Sequence, residues 1–83
     1  MTTPLADALI ELIQVEINPA ADDVGPETDL LLTGVVDSLG VVRIVNWIED
    51  EVGVEVDPVD VTLENFQTVS AMVAYVDARR AHA

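Results

Sequence analysis

Apolar residues recur at helical spacing in separate stretches of the chain, and proline, glycine and capping residues mark the interruptions between them. Leu5, Leu9, Leu12, Ile13 and Ile17 fall on one face of a 3.6-residue repeat, with Asp7, Glu11, Gln14 and Glu16 elsewhere around the wheel. This predicts an amphipathic helix over 4–17, opened by Thr3 as N-cap and by Pro4, whose missing N–H costs nothing at the first helical position. Asn18-Pro19 ends it, because proline disfavours helical backbone in the residue before it and cannot donate to the previous turn.

A long connection follows over 18–37, holding Pro19, Gly25, Pro26 and Gly34. Connections of this length in compact domains are usually functional or locally ordered. Leu30, Leu31 and Leu32 are expected to fold it onto the core, and Asp22, Asp23 and Asp29 to face water. A second helix starts at Asp37-Ser38, where either side chain can cap, and runs to Gly53. Its apolar stripe, Leu39, Val42, Val45, Ile48 and Val52, is widened by Val41 and Ile44, which implies more than one neighbour. Glu49, Asp50 and Glu51 crowd its last turn, the unfavourable end of the macrodipole, so a solvated or partner-facing role is expected for them.

Val52, Val54 and Val56 alternate with polar residues and glycine as in a strand, yet no second strand is available to pair with them. The segment is expected to be an extended connection that tucks valines into a helical core. A short helix is predicted over 60–65, after Pro58. Thr68 or Ser70 then opens a last helix with Val69, Met72, Val73 and Val76 as its stripe, Arg79 and Arg80 at its favourable end, and a fraying tail of Ala81, His82 and Ala83. The fold class expected is all-α, a small four-helix bundle of three longer helices and one short one, in a single domain over 1–83. Its core should contain Leu9, Ile13, Leu31, Ile44, Ile48, Val52, Val56, Phe66, Val69, Val73 and Val76, with Leu39 and Val42 partly exposed.

Charge narrows the function. Sixteen acidic residues oppose three basic ones, Arg43, Arg79 and Arg80, for a formal net charge of −13. A nucleic-acid backbone or an anionic leaflet would repel this surface, and basic proteins are the expected partners. No apolar run approaches the roughly 18 residues that read as a membrane span. The first residues lack the pattern of a secretory leader, so a cytoplasmic location is expected. With no cysteine, neither disulfides nor thiolates hold the fold. High charge favours a monomer.

The inventory for catalysis is poor. The single histidine is His82, in the last two residues, so a Ser/His/Asp arrangement has no rigid scaffold. Asp57, Asp60 and Glu64 match no metal-ligand spacing and would make a weak surface ion site at best. Ser38 stands out instead. It lies where the long connection meets the most apolar helix, beside Asp37, and a hydroxyl there can cap the helix or can be modified by another enzyme.

Gly34-Val35-Val36-Asp37-Ser38-Leu39 resembles the G-x-x-D-S-L attachment motif of acyl carrier proteins and peptidyl carrier domains. The resemblance extends over nearly the whole chain: a helix, a long loop with Asp29-Leu30-Leu31, the serine, an acidic second helix, Val54-Glu55-Val56, then Glu64-Asn65-Phe66 and a last helix. It implies that Ser38 receives 4′-phosphopantetheine from coenzyme A through a separate magnesium-dependent phosphopantetheinyl transferase, with Asp37 and Leu39 as flanking motif positions. The arm's thiol would supply the nucleophile that a cysteine-free chain lacks, and the protein would carry a thioester without catalysing anything itself. Loading would fall to a ligase or acyltransferase and use of the cargo to a downstream synthase. Val42, Arg43, Asn46 and Glu49 would form the partner surface.

Gly40 and Arg43 stand where many fatty-acid carriers have acids, which points towards a discrete carrier of a specialised polyketide or nonribosomal-peptide pathway, such as antibiotic biosynthesis. Trp47 is either a core anchor or part of the partner surface. The alternative reading of the acidic surface is a small helical adaptor or inhibitor that binds a basic protein without a covalent cofactor.

Overall fold

The computed structural model describes residues 4–21 and 23–81. Helix α1 spans Pro4–Leu12 and widens into a π turn over Ile13–Ile17; α2 spans Ser38–Trp47 and ends in a second π turn over Ile48–Val52. A 3-10 turn over Pro58–Asp60 leads into the short α3, Leu63–Phe66, and α4 spans Val69–Ala81. The protein is a small all-α bundle, with no strand among the described residues. The expected N-cap Thr3, the loop residue Asp22 and the tail residues His82 and Ala83 lie outside the described residues.

Each helix stops for a local reason. Asn18 sits before Pro19 with φ −141°, out of the helical region, while its N–H closes the π turn on the Ile13 carbonyl at 2.8 Å. At the end of α2, Gly53 takes the left-handed conformation with φ 78°, which costs glycine no Cβ clash, and its N–H reaches the Ile48 carbonyl. The short helix is shifted from its expected span: Asp57 caps the 3-10 turn, Thr62 caps α3 through the Asn65 N–H, and the single predicted segment splits in two. Thr68 rather than Ser70 caps α4, accepting the Ala71 N–H at 3.0 Å.

Leu9, Ile13, Ile44, Ile48, Phe66, Val69, Met72 and Val76 close around one core, joined by Leu30 and Val36 from the long connection. Within the leucine triplet it is Leu30 that is fully buried; Leu31 is partly buried and Leu32 exposed. Val52 and Val73, expected inside, pack on the core while keeping some exposure. In α2, Ile44 and Ile48 are buried as expected and are joined by Val41, while Leu39 and Val42, expected to be partly exposed, are 69% and 53% exposed. The 53–57 connection is extended as expected, with Val54 and Val56 inside. It is pinned from both sides: Glu49 accepts the Val56 N–H at 3.0 Å, and the Arg79 Nε–H donates to the Glu55 carbonyl at 3.2 Å. Glu49 is therefore not merely a solvated acid in the wrong turn, because its carboxylate holds the next segment down.

Gly40 is packed more tightly than the other three glycines. A Cβ there would lie 2.9 Å from Val36 Cγ1 and 3.0 Å from Ile17 Cγ2. Val36 is short, β-branched and buried, so it has little room to retreat. Overpacking of this kind costs about 1–3 kcal/mol, against about 1 kcal/mol returned by the better helix propensity of alanine. Gly40→Ala is expected to lower the urea midpoint, and an unchanged or raised midpoint would show that the α1–α2 approach has slack.

Candidate functional site

Ser38 is the first residue of α2, and its position is set from the connection before it. Asn18, at the end of α1, donates its Nδ2–H to the Val35 carbonyl at 3.1 Å, and the Val36 N–H donates to the Leu30 carbonyl at 3.0 Å. Gly34, with φ 79°, makes the left-handed turn that precedes them. Asp37 is extended and accepts the Gly40 N–H at 2.8 Å, so it is the N-cap. Ser38 is thus relieved of capping: it is exposed, and among the described residues its hydroxyl has no hydrogen-bond partner.

The connection is clamped to the α3–α4 junction by Asp29. Its Oδ1 accepts the Leu32 N–H at 3.0 Å and its Oδ2 accepts the Gln67 Nε2–H at 2.7 Å; the Leu30 N–H donates to the Gln67 carbonyl, and the Thr33 hydroxyl to the Asp29 carbonyl. Asp29 is therefore a structural carboxylate and not only a water-facing one. The Leu32 N–H, then the Gln67 amide, hold its pKa below the ordinary carboxylate value. A folded-state pKa below the unfolded one gives stability that is present above the unfolded value near 3.9 and lost as pH falls through the folded value. Asp29→Asn should therefore unfold at lower urea than wild type at pH 7, with the gap narrowing as pH falls below about 4; a gap independent of pH would mean that the charge of Asp29 is not what holds the loop.

Beside Ser38 lies an open groove of about 430 Å³ between the start of α2 and the 61–66 region. Its apolar walls are Leu31, Val36, Val41, Val61, Leu63 and Phe66. Leu39 and Val42 stand exposed on α2 nearby in sequence. Of the other expected partner-surface residues, Arg43, Asn46 and Glu49 are all exposed. Two of them have structural ties: Glu49 as described, and Arg43, whose Nη1–H donates to the Glu16 carbonyl near the end of the first helix at 2.9 Å. Trp47 is half-buried, packs against the core, and lines a separate groove with Val15 and Leu12.

The three acids weighed as a surface ion site have other roles or stand apart. Asp57 accepts the Val59 N–H, Asp60 accepts the Tyr75 hydroxyl at 2.8 Å, and Glu64 is exposed on α3. Sequence periodicity did not reveal Asn18, Gln67 or Tyr75, whose long-range bonds carry no short-range signature.

A family model described as the phosphopantetheine attachment site matches residues 7–76. The chain belongs to that family. Its cofactor is covalently attached 4′-phosphopantetheine, and the protein is accordingly a carrier. No curated protein matches the chain. Carrier domains of this family are generally non-catalytic and work with modifying and loading enzymes. The residues fit the cofactor chemically. The exposed, unbonded hydroxyl of Ser38 is free for esterification, and a phosphodiester placed there would sit at the N-terminal end of α2, where the helix dipole and unpaired N–H groups favour negative charge. Among the described residues, no helix is long and apolar enough to cross a membrane.

Proposed function

We propose that the protein is a cytoplasmic, monomeric carrier whose arm is attached to Ser38, with Asp37 and Leu39 as the flanking residues read by the transferase. The observation that carries this reading is the exposed Ser38 hydroxyl, left without a capping task by Asp37 and set beside an apolar groove. When bound, 4′-phosphopantetheine supplies a thiol that holds cargo as a thioester. The chain's own residues do no chemistry: Asp37 fixes the helix start, Asp29 and Asn18 fix the loop before it, and the groove offers aliphatic surface to whatever the arm carries.

The partners are a phosphopantetheinyl transferase, a loading ligase or acyltransferase, and a downstream synthase of a polyketide or nonribosomal-peptide pathway. Leu39, Val42 and Asn46 present an uncharged exposed face after Ser38, and Arg43 is the one charge before Glu49. Gly40, which stands where many fatty-acid carriers have an acid, is buried against Val36 and Ile17. This supports a partner that reads shape and apolar contact on α2, with the net charge of −13 acting at longer range to speed encounter with basic enzymes. Incubation of the full chain with coenzyme A, magnesium and a promiscuous transferase is expected to add one arm per molecule by intact mass. No addition to the folded protein by transferases of differing specificity would favour an acidic adaptor that binds a basic protein non-covalently.

A further inference from the structure

The groove beside Ser38 has one wall that is not anchored by core packing. Residues 57–62 form a tight local turn: the Asp60 N–H donates to the Asp57 carbonyl, the Val61 N–H to the Pro58 carbonyl, and the Val59 N–H to Asp57 Oδ1. No residue in this span is buried, and Val59 and Val61 point large apolar side chains outwards. What joins the turn to α4 is Tyr75. Its hydroxyl donates to Asp60 Oδ2 at 2.8 Å, while its ring centroid lies 6.2 Å from that of Phe66, a buried residue lining the groove. Asn65 adds a second tie to the same residue, its Nδ2–H donating to the Asp60 carbonyl at 2.9 Å.

We propose that the Tyr75–Asp60 hydrogen bond is a latch that sets the position of the 57–62 turn, and with it the Val61–Leu63 wall of the groove, making Tyr75 and Asp60 positioning residues for an apolar chain carried on the arm. The part concerning cargo rests on attachment at Ser38; the latch itself does not. Burial, then the bond to Asp60, raises the Tyr75 pKa above its usual value of 10.0, so the hydroxyl keeps its proton and the latch stays closed throughout the neutral range.

The latch is tested first in unmodified protein by amide hydrogen exchange. Tyr75→Phe keeps the ring against Phe66 and removes only the hydroxyl. Exchange over 59–66 is expected to speed up about three- to ten-fold, as befits the net loss of one part-buried hydrogen bond, while amides of α1 keep their protection. Asp60→Ala should behave alike, Asp60→Asn, which retains an acceptor oxygen, should recover most of the protection, and Tyr75→Phe with Asp60→Ala together should do no more than either alone. Unchanged exchange over 59–66, or an equal rise across the whole chain, would overturn the latch. For cargo, octanoyl-loaded and unloaded holo protein are compared by amide chemical shifts: chain-dependent shifts at Val61 and Leu63 should shrink in Tyr75→Phe, and equal shifts in both proteins would overturn the positioning role. Failure of the chain to accept an arm would refute the carrier reading while leaving the exchange result to decide the latch.

Discussion

Ser38→Ala is expected to abolish arm attachment completely while leaving the fold in place. The two halves of this expectation come from different atoms. Attachment requires the Ser38 Oγ as the nucleophile towards coenzyme A, and alanine has none. Stability depends instead on Asp37, whose carboxylate accepts the Gly40 N–H and caps α2, so deleting a hydroxyl that bonds to nothing among the described residues removes no native hydrogen bond. The urea midpoint of the variant should match wild type within the few tenths of a kcal/mol typical of surface changes. The complementary change, Asp37→Ala, should show the reverse pattern: about 0.5–2 kcal/mol lost from the missing cap, with the hydroxyl still present. Intact mass after treatment with coenzyme A and a transferase reads the first effect and urea unfolding the second. An arm on the Ser38→Ala protein would place the attachment site elsewhere.

Phe66→Ala should be the most damaging single substitution for the fold. Phe66 is 1% exposed, terminates α3, contacts the Tyr75 ring and lines the groove beside Ser38. Truncating a buried phenylalanine costs about 3–5 kcal/mol, and a domain of this length has only about 4–12 kcal/mol at about 0.05–0.15 kcal/mol per residue. Sixteen acids repelling one another leave little in reserve. The variant is expected to be largely unfolded at 37 °C by circular dichroism, or to melt far below wild type. A cooperative transition near the wild-type midpoint would mean that Phe66 is not the core residue that its burial implies.

The helices were legible in the sequence because each is announced by strong local chemistry. Pro4, Asn18-Pro19, Asp37-Ser38, Gly53 and Thr68 mark starts and stops, and Leu9, Ile13, Ile44, Ile48, Val69 and Val76 repeat at helical spacing. The family was legible for a different reason, since Gly34 to Leu39 resembles its attachment motif within a chain whose overall order of elements also matches. What the pattern left open was phase. A run of three leucines does not say which one turns inwards, and the choice of Leu30 is made by its N–H bonding to the Gln67 carbonyl 37 residues away. In α2 the exposure of Val42 was expected, but the burial of Val41 was not, because a stripe widened by valines does not show how far inwards its edge turns; Val41 follows Gly40, which packs against Val36 and Ile17. Glu49 and Asp29 looked like solvated acids because the backbone N–H groups they accept lie in irregular segments, which carry no periodic signal.

Peptide mapping of the wild-type adduct tests the central claim most directly. Protein treated with coenzyme A, magnesium and a transferase should carry its phosphopantetheine on the peptide that contains Asp37, Ser38 and Leu39, with fragment ions placing it on Ser38. An adduct located on any other residue, or a folded protein that takes up none, would contradict the account.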